Sequence, residues 1–178
     1  MDIYLKKVSI EYAEDIETFR EEILVVNDKD SFAGCFGFRE CESVEKWISD
    51  VYMWGSEETC PDDMVPSDYY IAIRRNDNRI VGIIDLRHQI NTPVLSEWGG
   101  HMGYSVRPCE RRKGYAKEML RLNLINARKI GIDNVMVTCN YDNYASERAI
   151  LANGGVLEKE INVDGDIIKR YWINLECK

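Results

Sequence analysis

The feature that most constrains this 178-residue chain is an abrupt change of hydrophobic period between Val106 and Ala116. Residues 101–106 follow a strand-like pattern that ends at Pro108, which offers no N–H to a ladder. Beyond it Ala116, Met119, Leu120, Leu124, Ala127 and Ile130 recur at helical spacing, and Gly131 stands where a helix C-cap belongs. The pattern predicts a helix over 114–130, entered through Arg-Pro-Cys-Glu-Arg-Arg-Lys-Gly-Tyr-Ala. Gly114 and Ala116 then lie at a helix N-terminus, where the first N–H groups lack partners and the helix dipole is positive. Such a junction suits an anion, and a diphosphate fits it well.

Charge is distributed to match. Between Arg107 and Arg121 six basic residues face only Glu110 and Glu118, a local charge of +4 in a chain of −8, so the remainder carries −12. An acidic chain of this kind excludes nucleic acid as the main partner, because neutralising phosphates needs a broad basic surface. The acidic excess would draw in a cationic amine, or simply keep the protein soluble.

The rest of the chain reads as alternating strands and helices, an α/β pattern in one domain spanning 1–178. A strand over 3–8 precedes a helix over 11–26, and Ser43 is a plausible N-cap for a helix carrying Val44, Trp47, Ile48 and Val51. Residues 69–74 and 79–86 flank Asn76-Asp77-Asn78, and 156–163 and 167–175 surround Asp164-Gly165-Asp166, so each pair reads as a hairpin. A short β-branched strand over 135–139 leads to a helix capped by Asp142 or Asn143 that ends before Gly154-Gly155.

Six cysteines (Cys35, Cys41, Cys60, Cys109, Cys139, Cys177) form no C-x-x-C pair, and only His88 and His101 accompany them, so no metal site is expected. The N-terminus carries charges where a signal peptide is apolar, and nowhere do 18 apolar residues run together. The expectation is a cytoplasmic protein with no membrane partner. Neither G-x-G-x-x-G after the first strand nor G-x-x-x-x-G-K-[ST] occurs, which excludes the dinucleotide fold and the P-loop.

Arg111-x-x-Gly114-x-Ala116, with Arg-Pro just upstream, resembles the R/Q-x-x-G-x-G/A signature of the GNAT superfamily of acyl-coenzyme A N-acyltransferases. Asn143-x-x-Ser146 and Asn153-Gly154-Gly155, one strand further on, are similar to that family's second block. The resemblance implies a mostly antiparallel central sheet of about six or seven strands, splayed at its centre and flanked by helices on both faces. It implies acetyl-CoA as co-substrate, held by Val106, Arg111, Arg112, Lys113, Gly114, Tyr115, Ala116, Asn143 and Ser146. Residues 99–178 would be the cofactor half and 1–98 the acceptor half.

By the same resemblance an amine attacks the thioester directly. An alkylamine with pKa near 10 is mostly protonated at pH 7, a cost of roughly 4 kcal/mol, so a proton acceptor would help. Glu97 and His101 occupy the neighbourhood for that base. The family's usual tyrosine acid is replaced by Ile150, leaving Tyr104, Tyr141 and Tyr144 as alternatives. The acceptor would be a small-molecule or peptide amine, met by residues 21–70 and 87–98. Trp47, Trp54, Trp98, Phe32, Phe36 and Phe38 either line its pocket or form core, and Arg87 either orients a carboxylate or edges the sheet. A homodimer through a strand near Trp172 and a monomer both remain open, as does a module that binds acyl-CoA without chemistry.

Overall fold

Turn chemistry sets the hairpins. Asp164 and Gly165 both have positive φ (53° and 96°), the two left-handed residues that a tight hairpin turn needs to match strand twist. They join β6 (Val156–Val163) to β7 (Asp166–Asn174), and β7 pairs on its other side with β5 (Asn134–Asn140). A second antiparallel sheet runs in the order β1 (Ile3–Lys7), β2 (Ser67–Arg74), β3 (Ile80–Arg87), β4 (Tyr104–Val106). The computed structural model describes residues 2–26 and 31–176, and Cys177 lies outside them. The expected sheet of about six or seven strands, splayed at its centre, is thus seven strands among the described residues, in sheets of four and three.

Helices cover both faces of the four-stranded part, which is why its middle strands are apolar almost throughout rather than alternating. α1 (Ala13–Val26) and α2 (Val44–Trp54) bury Phe19, Ile23, Trp47 and Ile48 against Ile71, Ile73, Ile80 and Ile83. Ser43 caps α2 as its sequence predicts, its Oγ accepting from the Lys46 N–H at 3.1 Å. On the opposite face α3 (Tyr115–Lys129) packs Tyr115 and Met119 on Ala72, Val81 and Ile84. Leu120, Leu124 and Ala127 continue toward Val135, Val137, Tyr171 and Ile150, the last carried by α4 (Tyr144–Leu151). Each such large side chain, fully buried, contributes about 1.5–3 kcal/mol.

Of the aromatic candidates, Phe38 and Trp47 are core and Phe32 and Trp54 pack against it, whereas Phe36 and Trp98 are exposed. The Phe38 and Trp47 rings lie 4.3 Å apart, Trp47 meets Tyr69 edge-on at 6.0 Å, and the Trp47 Nε1–H donates to the Phe36 carbonyl at 2.8 Å. The strand expected over 101–106 is shorter than its pattern implies, because only Tyr104–Val106 joins the ladder to β3. Residues 99–103 are held by two separate main-chain bonds, the Asp85 and Arg87 N–H groups donating to the Gly103 and His101 carbonyls at 3.1 and 2.8 Å, and by side chains of β3. The Asp85 Oδ1 accepts from the Gly103 N–H at 2.5 Å, and the Arg87 Nη1 donates to the Gly99 and Gly100 carbonyls at 2.9 and 3.0 Å. Arg87 thus edges the sheet. Burial raises the Asp85 carboxyl above the ordinary carboxylate range, against the pull of the Arg87 guanidinium and the Gly103 amide.

Candidate functional site: the gap between β4 and β5

Just before β4, the pair His101 and Met136 joins the main chain to β5. The His101 N–H donates to the Met136 carbonyl at 2.8 Å, and the His101 Nδ1 accepts from the Met136 N–H at 3.0 Å. Beyond that pair β4 and β5 form no ladder with each other, and a cavity of about 670 Å³ opens between them. Its β4 wall runs from Met102 to Val106 and its β5 wall holds Thr138 and Cys139. α4 supplies small residues, Ala145, Ser146 and Ala149, which leave the gap wide. Among the described residues, Ala33 is the one lining residue from the first 98, brought there by a bond from the Ser105 Oγ to its carbonyl at 2.6 Å.

The contact beside Ala33 depends on two glycines. A Cβ on Gly34 would lie 2.2 Å from the Gly103 carbonyl oxygen, and one on Gly103 would lie 2.5 Å from the Gly34 nitrogen. Only residues without side chains let the loop after α1 touch β4 here.

At its other end the gap reaches the mouth of α3. Gly114 occupies the N-cap with φ 86°, and no side chain caps the helix. The N–H groups of the first turn are therefore left for an anion. Arg112 is also left-handed (φ 60°), so two left-handed residues bracket Lys113, an alternation that builds anion-binding concavities. The Arg111 Nε donates to the Val106 carbonyl at 3.2 Å, which holds that side chain against the end of β4. Tyr115 is buried, with its hydroxyl accepting from the Arg74 Nη1 at 3.2 Å.

The basic cluster is only partly free. Arg107 is 1% exposed and bonds the Asp15 carboxylate at 2.6 Å, tying α1 to the end of β4. Arg121 pairs with Glu118 at 2.8 Å, and Lys113 pairs with Glu110 at 2.9 Å. Burial pushes the Glu110 carboxyl up, but Lys113 and Arg74 outweigh it and hold the group below its usual value. Lys113 consequently lines no part of the gap, whereas Arg111, Arg112, Gly114, Tyr115, Ala116 and Val106 do. Lys117 and Arg148 line it as well. Spacing alone gave no reason to single either of them out.

Asn143 acts first as a helix cap. Its Oδ1 accepts from the Ser146 N–H at 3.0 Å, and both residues face the gap. The Tyr104 hydroxyl spans from β4 to lie 2.7 Å from the Ser146 Oγ. Ile150, at the place of the family's tyrosine, is wholly buried.

The two base candidates are not brought to this cavity. Glu97 is exposed on the turn over 95–99, with its carboxylate 4.0 Å from the Lys159 Nζ. His101 is buried, and since its Nδ1 accepts a hydrogen bond, the neutral ring carries its proton on Nε2 and keeps no lone pair for a substrate. Burial and the charge of Arg87 push it down to about 4. Its place is that of a rivet between sheets rather than a base.

Residues 4–156 match the model of the acetyltransferase (GNAT) domain. The chain belongs to the GNAT acetyltransferase family. Among solved GNAT-like structures, a candidate ribosomal-protein-serine acetyltransferase from Vibrio cholerae is 14% identical with a TM-score of 0.66, over 98% of this chain and 94% of that one. An N-acetyltransferase from Staphylococcus aureus Mu50 is 11% identical with a TM-score of 0.70, over 99% and 100%. A candidate acetyltransferase from Salmonella typhimurium, solved with its cofactor acetyl-CoA, is 12% identical with a TM-score of 0.63, over 99% and 95%. No curated protein matches the sequence.

At these identities the solved structures establish the GNAT fold, and the family match adds acetyl transfer as the chemistry of the domain. The residues present would fit acetyl-CoA: the uncapped helix mouth flanked by cations suits a diphosphate, and the main chain and small residues of the walls suit an extended arm. Among the described residues no group of three or more His, Cys, Asp or Glu could hold a metal ion, and no helix is long and apolar enough to cross a membrane.

Proposed function

We propose that the protein transfers an acetyl group from acetyl-CoA to the amine of a small molecule or peptide, by direct attack within a ternary complex. The observation that carries this reading is the continuity of the gap between β4 and β5 with the open mouth of α3. Diphosphate would sit on the N–H groups of Gly114, Tyr115 and Ala116, with Arg111 and Arg112 beside it. Main chain at Val106 would polarise the thioester carbonyl, a task that needs no particular side chain. Residues 99–178 serve the cofactor, and 1–98 reach the acceptor through Ala33. A peptide acceptor is supported by the description of the Vibrio cholerae protein as acting on a ribosomal protein.

Proton traffic follows from what faces the gap. Tyr104 is the acid in this reading: its hydroxyl lies in the gap, and the Ser146 Oγ at 2.7 Å can resupply its proton. Glu110 is the one carboxylate lining the gap among the described residues, and Arg74 and Lys113 occupy it. Water therefore takes the amine proton, and kcat/KM should climb through the pH range of the amine with no break near the histidine value.

The same lack of a base favours a second reading, a module that binds acyl-CoA without turnover. Release of free thiol from acetyl-CoA against a panel of amines separates the two. Turnover that falls 100-fold or more in Tyr104→Phe, with coenzyme A affinity within threefold of wild type, supports the enzyme and its acid. Tight binding of acetyl-CoA with no thiol release by any amine supports the module.

A further inference from the structure

Coenzyme A carries two anionic groups set apart by the adenosine ribose, the diphosphate and the 3′-phosphomonoester. The mouth of α3 with Arg111 and Arg112 accounts for one of them. Lys117 and Arg148 face the same gap from two different helices and form no ion pair among the described residues.

Their proximity is built. The Asn153 Nδ2 donates to both the Lys117 carbonyl (3.0 Å) and the Ala149 carbonyl (2.8 Å), clamping the first turn of α3 to the end of α4 one residue from Arg148. The acids nearby are already engaged. Glu118 takes two bonds from Arg121 at 2.8 and 2.9 Å, and Glu147 turns away to Lys169 at 2.9 Å and the Tyr171 hydroxyl at 2.7 Å. Ala145 and Ala149, either side of Arg148 on α4, leave the guanidinium room over the gap. A notch with two cations and no free carboxylate suits a group carrying nearly two negative charges.

We propose that Lys117 and Arg148 form a phosphomonoester subsite in the notch between α3 and α4 that reads the 3′-phosphate of coenzyme A. The inference rests on the proposed acetyl-CoA reading and assigns the specificity of that same site. It makes the protein selective for coenzyme A over its 3′-dephospho form.

The test is calorimetric titration of wild type, Arg148→Ala and Lys117→Met with coenzyme A and with 3′-dephospho-coenzyme A. Both residues lie at the surface, and thermal melting confirms that the variants are folded. Wild type should prefer coenzyme A by tenfold or more. Arg148→Ala should shrink that preference below threefold by weakening coenzyme A while leaving the dephospho compound unchanged, and Lys117→Met should act in the same direction. Equal losses for both compounds would place Arg148 on the diphosphate and overturn the subsite, as would no loss for either. Failure of wild type to bind either compound overturns the acetyl-CoA reading itself, and the subsite with it.

Discussion

Gly114→Asp and Gly114→Asn form a pair that isolates charge at the helix mouth. Gly114 has φ 86°, and Asn and Asp are the side-chain-bearing residues that best tolerate that region, so both variants cost about 1 kcal/mol of backbone strain and melt alike. They differ by one negative charge. Set about 6 Å from a diphosphate of charge near −2, that charge opposes binding by about 1.4 kcal/mol in a water-like dielectric and by about 5.5 kcal/mol at an effective value of 20. The exposure of Gly114 puts the answer toward the lower figure. Since 1.4 kcal/mol is tenfold, Gly114→Asp should bind coenzyme A at least ten times more weakly than Gly114→Asn by calorimetry. The gap should narrow as salt is added. Equal affinities in the two variants would mean that no diphosphate lies beside Gly114, and the cofactor placement would fall.

Acid sensitivity should trace to His101. Its folded value of about 4 lies below the unfolded value near 6.5, so the unfolded chain binds the extra proton between them. Stability is then complete above the unfolded value and is lost as pH falls from about 6.5 to about 4, by about 3 kcal/mol at most. His101→Gln should flatten this arm of the urea-midpoint curve, and an unchanged slope would clear His101. The glycine contact is tested by Gly34→Ala against Gly131→Ala. Both sites have positive φ (73° and 82°), but a Cβ on Gly131 meets nothing within 4 Å. Gly34→Ala should cost about 2 kcal/mol beyond that control, lowering Tm by a further 4–8 °C or so, and coincident melts would refute the close approach.

What the sequence makes legible is whatever local chemistry decides. The change of period at Pro108, the Asp164-Gly165 turn and the Ser43 cap each act within a few residues, and each formed as its residues dictate. Side chains that answer to distant partners were harder to read. Glu110 withdraws Lys113 from the gap, a pairing three residues apart that the sequence did display, but it does so with help from Arg74, 36 positions earlier. His101 looked like a base because of its type and its strand. Its work is set by Met136, which no spacing rule connects to it. Arg148 carried no motif at all. Its signal was phase, since Asn143 caps α4 and Ala145, Ser146 and Ala149 mark the face that turns to the gap.

The join at His101 and Met136 gives the molecule a zip with one closed tooth. Where the slider stops the two lips of main chain form no ladder with each other, and the arm of a cofactor carrying two amides could bridge them. Filling the slot would thus finish the sheet as well as load the reagent, so the loaded protein should be the stiffer one, with amide exchange slowing along 104–106 and 137–140 together.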